Sequence, residues 1–216
     1  FCSDLMYPNL AVGMSESRVL ILNLNETQSM LGTSSPAYLE SLLGSHTQLT
    51  SIKLFKDNHQ FGIGISDNTG RCNVTKIQEN LNVNPPNIRF ENVITFKAHY
   101  KKEEYHRVTA LYPINAVGFH PNRRSDFFYT AGGGGEGKMY FWEIKRQAPI
   151  VEFDFKGRPV TRAEMDPTGK FLAYSLGYDW SRGIQGYQSH PSKVCVHVMQ
   201  DKELEYQAEG GYPLKY

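Results

Sequence analysis

The sequence predicts an all-β chain built of repeated β-propeller blades. Three observations carry that expectation: four short strands of one form recur along the chain, smaller apolar runs precede them in a fixed order, and no window of helical length holds an apolar stripe of 3.6-residue period. The recurring strands are Arg18-Val-Leu-Ile-Leu-Asn-Leu24, Arg71-Cys-Asn-Val-Thr-Lys-Ile77, Lys138-Met-Tyr-Phe-Trp-Glu-Ile144 and Lys193-Val-Cys-Val-His-Val-Met199, each opening on a cation. Their starts lie roughly 50 to 70 residues apart, somewhat above the ~40 to 50 of common propeller repeats, which longer loops would explain. Before each sits a run ending in small residues: 10–13, 61–66, 127–132 and 171–177. Before the last three of these lies another, at 50–55, 114–119 and 160–165, and outer strands are expected at 93–98 and 150–155. Turn chemistry closes the third and fourth copies, in Phe119-His-Pro121 and Met165-Asp-Pro-Thr-Gly169, where proline fixes φ and glycine permits φ > 0.

The bulk numbers fit a packed chain. Of 216 residues, 40% are hydrophobic and 12% aromatic, enough for a sizeable core. A net charge of +1 gives no whole-molecule attraction to nucleic acid or acidic membranes, so any such binding needs a local patch. Cys2, Cys72 and Cys195 are too few and too scattered for a disulfide framework, which favours a reducing compartment, cytosol or nucleus. No run approaches the ~20 apolar residues of a membrane span, and a soluble protein is expected. Residues 1–199 are assigned to propeller blades, with polar or Pro/Gly-bearing connections at 25–49, 78–92 and 181–192, and 200–216 to a mixed-charge C-terminal tail. The opening on Phe1 rather than Met suggests a partial chain. Four blades do not close a ring, so the others of a probable ring of about seven are expected before Phe1 or in another chain.

The repeats resemble those of WD-repeat proteins, with Phe141-Trp142-Glu143 standing near the Trp-Asp ending. Four further stretches narrow the resemblance. Phe1-Cys-Ser-Asp-Leu-Met-Tyr-Pro8 with Ala11-Val-Gly13, Ser66-Asp-Asn-Thr-Gly-Arg71, and Phe96-Lys-Ala-His99 with Tyr112-Pro-Ile-Asn-Ala-Val-Gly-Phe-His-Pro121 are similar to segments shared by the nuclear-pore-associated mRNA export factors of the Rae/Gle type and the Bub-type mitotic checkpoint proteins. Tyr178-Asp-Trp-Ser-Arg-Gly183 resembles the export factors in particular. The sequence departs from the pattern where Gly132-Gly-Gly-Gly-Glu-Gly137 replaces the usual Gly-Ser-Asp-Gly turn and Trp-Glu replaces Trp-Asp. The resemblance implies a non-enzymatic scaffold at the nuclear pore and nuclear envelope, also reaching the cytoplasm, that binds a Gle-binding (GLEBS) hairpin of a nucleoporin, and RNA, in mRNA export from the nucleus. Its alternative is a spindle-checkpoint adaptor binding such hairpins on kinetochore proteins.

Within that resemblance, Arg71 matches the arginine that engages acidic residues of the hairpin, a bidentate task suited to guanidinium. Read from the residues alone, Arg71 is equally an edge-strand cation following a tight turn. Phe96 and Trp142 match positions lining a rim groove that accepts RNA or an inserted methionine, and Lys145 and Arg146 align with the basic residues after the tryptophan. A cluster of Lys97, His99, Lys101, Lys102, His106 and Arg107, with Arg123 and Arg124 nearby and Phe96, Tyr100 and Tyr105 interleaved, has the cation-plus-aromatic character of single-stranded RNA binding. Glu103 and Glu104 dilute it. The competing account of Trp142 is a buried blade tryptophan.

Other motifs yield less. Gly132-Gly-Gly-Gly-Glu-Gly-Lys138 has the spacing of a phosphate-binding loop, but Met139 stands where Ser or Thr should hold Mg²⁺ and a strand, not a helix, follows, so a β-turn is expected. No histidine or cysteine spacing fits a metal, no catalytic constellation is visible, and no cofactor is expected. His197 alternates with valines and is read as facing outward. Asn25-Glu-Thr27 and Asn73-Val-Thr75 match glycosylation acceptors that an intracellular protein would not use.

Overall fold

In the computed structural model the residues described are all except 1, 25–36, 41–42, 45, 58–59, 81–86, 104–107, 123–125, 145–147, 182, 188–190 and 205–213. The first blade is an antiparallel meander of β1 (Ser3–Met6), β2 (Asn9–Gly13), β3 (Arg18–Asn23) and β4 (Ala37–Glu40). The second runs through β5 (Leu49–Asp57), β6 (Gln60–Asp67), β7 (Arg71–Asn80) and β8 (Asn87–Lys97). A hairpin, β9 (Tyr100–Glu103) with β10 (Val108–Leu111), is inserted before the third blade of β11 (Ile114–Phe119), β12 (Phe127–Gly132), β13 (Lys138–Glu143) and β14 (Ala148–Asp154). The fourth blade comprises β15 (Val160–Met165), β16 (Phe171–Leu176) and β17 (Lys193–Val198), followed by a helical turn α1 (Asp201–Leu204) and β18 (Leu214–Lys215).

Every recurrent strand expected from the sequence is present, and all four cations stand at the first residue of β3, β7, β13 and β17. Corrections concern the connections. Residues 25–49 contain the outer strand β4, and within 78–92 the strands of the second blade continue to Asn80 and resume at Asn87. The segment set apart as a tail is partly docked, since β18 pairs in parallel with β14 and Tyr216 stacks on Phe153 at 5.1 Å.

The core lies between blades, as a propeller requires, because a single sheet cannot cover its own faces. Ala11, Val19 and Ile21 of the first blade meet Ile52, Leu54, Ile63 and Ile65 of the second. Phe55, Val74 and Ile94 meet Val117, Phe128 and Trp142 of the third. Tyr129, Met139, Phe141 and Phe153 on the third blade's other face meet Ala163, Met165, Leu172 and Leu176 of the fourth. All six residues of β12 are buried, which its unbroken Phe-Phe-Tyr-Thr-Ala-Gly run reflects. Lys53 on β5 ties the inner strands together, reaching Asp4 at 3.4 Å and Glu164 at 2.5 Å.

The fourth blade corrects the reading of His197. The imidazole is half-buried and bonds the buried Glu203 carboxylate at 3.0 Å, while Val194, Val196 and Val198 are 81%, 64% and 58% exposed. Cross-strand pairing sets Val198 beside Phe171 and Val196 beside Ala173, so one apolar face of this blade is left uncovered among the described residues. Alternation gives a strand's period but not which face is inward; that depends on whether a neighbouring sheet lies against it.

Candidate functional site: the loop face of the blades

Antiparallel four-strand meanders send the β2–β3, β6–β7, β12–β13 and β16–β17 turns to the same end of the arc as the crossings from one blade to the next. Of the site residues expected from the sequence, Arg71, Phe96 and Lys97 stand at this end, Lys101 and Lys102 follow on β9, and Trp142, next to last in β13, stands toward the other end. The side chains of interest form three groups.

The first group surrounds Arg71. Asp67, fully buried, accepts hydrogen bonds from the Thr69 and Arg71 amides at 2.9 Å each and from the Thr69 hydroxyl, which closes the tight turn. The turn ends on Gly70 at φ +77°, a left-handed conformation that glycine adopts without penalty. Arg71 then extends its guanidinium to the first blade, with Nη1 donating to the Leu43 carbonyl at 2.6 Å. On the neighbouring strand the residue directly opposite Arg71 is Lys97, which is exposed. Opposed residues on paired strands share a face, so two cations are held side by side. Lys101 and Lys102 follow on β9, both exposed, with Lys102 Nζ 6.0 Å from the Tyr100 ring centroid.

The second group surrounds Trp142. Its indole is 6% exposed, and Nε1 donates to Thr130 Oγ1 at 2.8 Å. Thr130 Oγ1 also lies 2.7 Å from His99 Nε2, and His99 Nδ1 meets the Glu136 carboxylate. With the ring proton on Nδ1 the hydroxyl accepts from the indole and donates to Nε2, so each polar group in the chain is satisfied, as buried groups require. The network joins the crossing after β8, the β12 strand, the β12–β13 turn and β13. Phe96 and Trp142 are brought together, ring centroids 4.8 Å apart at 69°, as an edge-packed aromatic pair. His99, expected in the basic cluster, is fully buried and belongs to this network. Lys145, Arg146, Tyr105, His106, Arg107, Arg123 and Arg124 lie outside the described residues. Sequence reasoning missed Thr130, hidden in an apolar run, and Glu136, hidden in the glycine loop.

That loop is a turn. Gly134, Gly135 and Gly137 have φ of +65°, +93° and +62°, Gly133 N–H donates to the Pro113 carbonyl at 2.8 Å, Gly134 N–H to Asp179 at 2.7 Å, and strand β13 follows. The Gly133, Gly134 and Glu136 amides, donors that could cradle phosphate, are engaged by the protein itself. Lys138 reaches Glu152 at 2.5 Å. Asn73, one of the glycosylation-like asparagines, is fully buried and bonds Asn92 and Thr95 at 2.8 Å; Asn25 lies outside the described residues.

The third group is the loop after β16. Asp179 accepts from Gly134 N–H, from Asn115 Nδ2 at 3.2 Å and from the Ser181 hydroxyl at 2.7 Å, linking third and fourth blades. Burial pushes its carboxyl up, but the hydrogen bonds from Gly134, Ser181 and Asn115 outweigh this and hold it below the ordinary aspartate range. A depressed folded-state value means that the stabilisation is present above ~3.9 and is lost as pH falls through the folded value. Acidification should therefore release the Gly134 amide, seen as a lower protection factor there once the intrinsic exchange rate at each pH is divided out, and Asp179→Asn should remove that pH dependence of protection. Beyond Asp179, Tyr178, Trp180 and Tyr187 form an aromatic group beside a cleft of about 240 Å³.

Stacked antiparallel blades with cores between them define this chain as a β-propeller chain. The fold agrees with the β-propeller domain of Cps50 (Swd1) from Myceliophteria thermophila, with a TM-score of 0.55 at 13% identity over 80% of this chain and 46% of that one. Its curated relatives include the mRNA export factor GLE2 of Chaetomium thermophilum, 28% identical over 91% of this chain and 49% of the relative, and the mRNA export factor rae-1 of Caenorhabditis elegans, 27% identical over 91% and 48%. The Rae/Gle resemblance read from the sequence thus extends along nearly the whole chain, which spans about half the length of these relatives. No family model matches it.

Proposed function

We propose that the protein is a non-enzymatic propeller scaffold acting in mRNA export at the nuclear pore, and that it binds an acidic Gle-binding hairpin of a nucleoporin at the loop-face end of β7. The observation that carries the reading is the cation pair. Like charges opposite one another on adjacent strands are unfavourable, and Asp67, the carboxylate of the preceding turn, is engaged by that turn. A carboxylate-bearing partner relieves that repulsion. The Leu43 carbonyl holds one edge of the Arg71 guanidinium and so limits the entropy lost when it binds in bidentate fashion. The names of the relatives support the export setting.

In the full-length protein, Arg71→Glu should weaken a synthetic hairpin peptide by ~2 to 5 kcal/mol, since it sets carboxylate against carboxylate. Arg71→Lys should give a smaller loss, with charge kept and the fork removed. Calorimetry on both variants, with a melt to account for removal of the hydrogen bond to Leu43, checks this; an unchanged dissociation constant removes Arg71 from the site. Recovery of kinetochore proteins instead of nucleoporins in a pulldown would assign the scaffold to the checkpoint.

A further inference from the structure

We propose that the cleft between the β14–β15 connection and the β16–β17 loop binds single-stranded RNA, with a base stacked on the Tyr178, Trp180 and Tyr187 aromatics and the phosphates held by Lys156 and Arg158. This RNA site rests on the mRNA-export reading and lies away from Phe96 and Trp142.

Trp180 and Tyr187 lie parallel, centroids 5.7 Å apart at 10°, and Tyr178 leans on both at 5.4 and 6.0 Å. Yet Trp180 is 59% exposed and Tyr187 53%. Trp180 also sits at φ +59°, a left-handed conformation costly for a residue with a large side chain. A tryptophan held in a strained backbone with most of its ring in water gains little for stability, and such strain concentrates where a ligand is met. Isolated exposed aromatics need no explanation; three in mutual contact, one of which, Tyr178, lines a cleft, do.

The cleft selects the ligand class. Its walls include Lys156, Arg158, Gly134, Gly157 and Gly177 beside Tyr178. Lys156 is 85% exposed at its side chain and pairs with one half-buried carboxylate, Asp154, at 3.1 Å. Arg158 forms no ion pair among the described residues. Asp179, on the loop beside the cleft, has its oxygens occupied by Gly134, Asn115 and Ser181. The aromatics touch one another and leave no cage for a cation, and the flanking lysine and arginine would repel one. An anionic ligand with flat apolar faces fits both halves, as in sites where bases stack and cations follow the backbone.

The test uses the full-length protein and an oligouridylate of about 12 nucleotides, within the range one binding surface covers, in filter binding across a salt series. Trp180→Ala should weaken binding roughly 5- to 150-fold, the worth of one base–aromatic stack, while Trp180→Phe retains most of it. Lys156→Glu with Arg158→Glu should reduce the slope of log K against log salt by about one for each phosphate no longer neutralised. Melting should be unchanged in Trp180→Ala, because the ring is largely exposed. Hairpin-peptide calorimetry on the same samples separates the two readings. Hairpin binding intact with RNA affinity unaffected by Trp180→Ala, or with no RNA binding by the parent protein, overturns this site alone. Loss of hairpin binding on Trp180→Ala with RNA affinity retained overturns it in favour of a peptide surface. Absence of both activities in the parent overturns the export reading as well.

Discussion

Trp142→Ala is expected to destabilise the protein by ~3 to 5 kcal/mol, the range for removing a buried large aromatic, and to leave ligand affinity of the folded fraction unaltered. The ring packs against Phe96, Phe128 and Tyr140, and its N–H is the donor at one end of the network through Thr130 and His99 to Glu136. Truncation removes this packing, leaves a cavity and strips a buried hydroxyl of a partner. Trp142→Phe keeps most of the ring and loses only the donor, so a cost of ~1 to 3 kcal/mol is expected. Denaturant curves followed by circular dichroism give both numbers. Loss of RNA affinity in Trp142→Ala at unchanged stability would reinstate the rim groove.

Gly70→Ala should be comparably severe although it adds a single methyl group. At φ +77° any side chain is strained, and the new carbon would collide with the His99 carbonyl and stand 2.8 Å from that of Tyr112. Both obstacles are backbone, so neither can swing aside. The Gly70 carbonyl also accepts the Ala98 and His99 amides at 2.8 and 3.1 Å, which places His99 for its bond to Thr130. Forcing the turn away therefore strains the network of the next blade as well. Gly183→Ala supplies the comparison: its φ is +58° but nothing lies within 4 Å of the added carbon. With ψ at −162° it lies in a backbone region almost confined to glycine, so it should cost only that strain, ~1 to 3 kcal/mol, with no collision added. If the two variants melt alike, the carbonyl collision is not felt.

The blades were legible because their strands repeat a local form, cation first and apolar alternation after, which survives divergence elsewhere. Strand β4 was not, lying in a polar stretch, and β18 was not, since two residues carry no pattern and gain their partner only through tertiary pairing with β14. The site was legible in type but not in depth. Arg71 could be placed at a strand start, yet its staple to Leu43 and its opposition to Lys97 depend on register. Trp142 could be read two ways until the residues spanning it were known: Thr130 and Glu136 look unremarkable where they stand, and His99 lies far upstream. The Tyr-Asp-Trp-Ser segment marked a resemblance without revealing that its tryptophan faces water.

The chain's two tryptophans therefore report on different things. Trp142, buried among aromatics, should emit at short wavelength and resist an aqueous quencher, whereas Trp180 should emit at long wavelength and be readily quenched. Collapse of the third blade would then appear as a red shift of the first component, and occupation of the loop face as shielding of the second. One unlabelled sample can in this way distinguish an unfolding event from a binding event by colour alone.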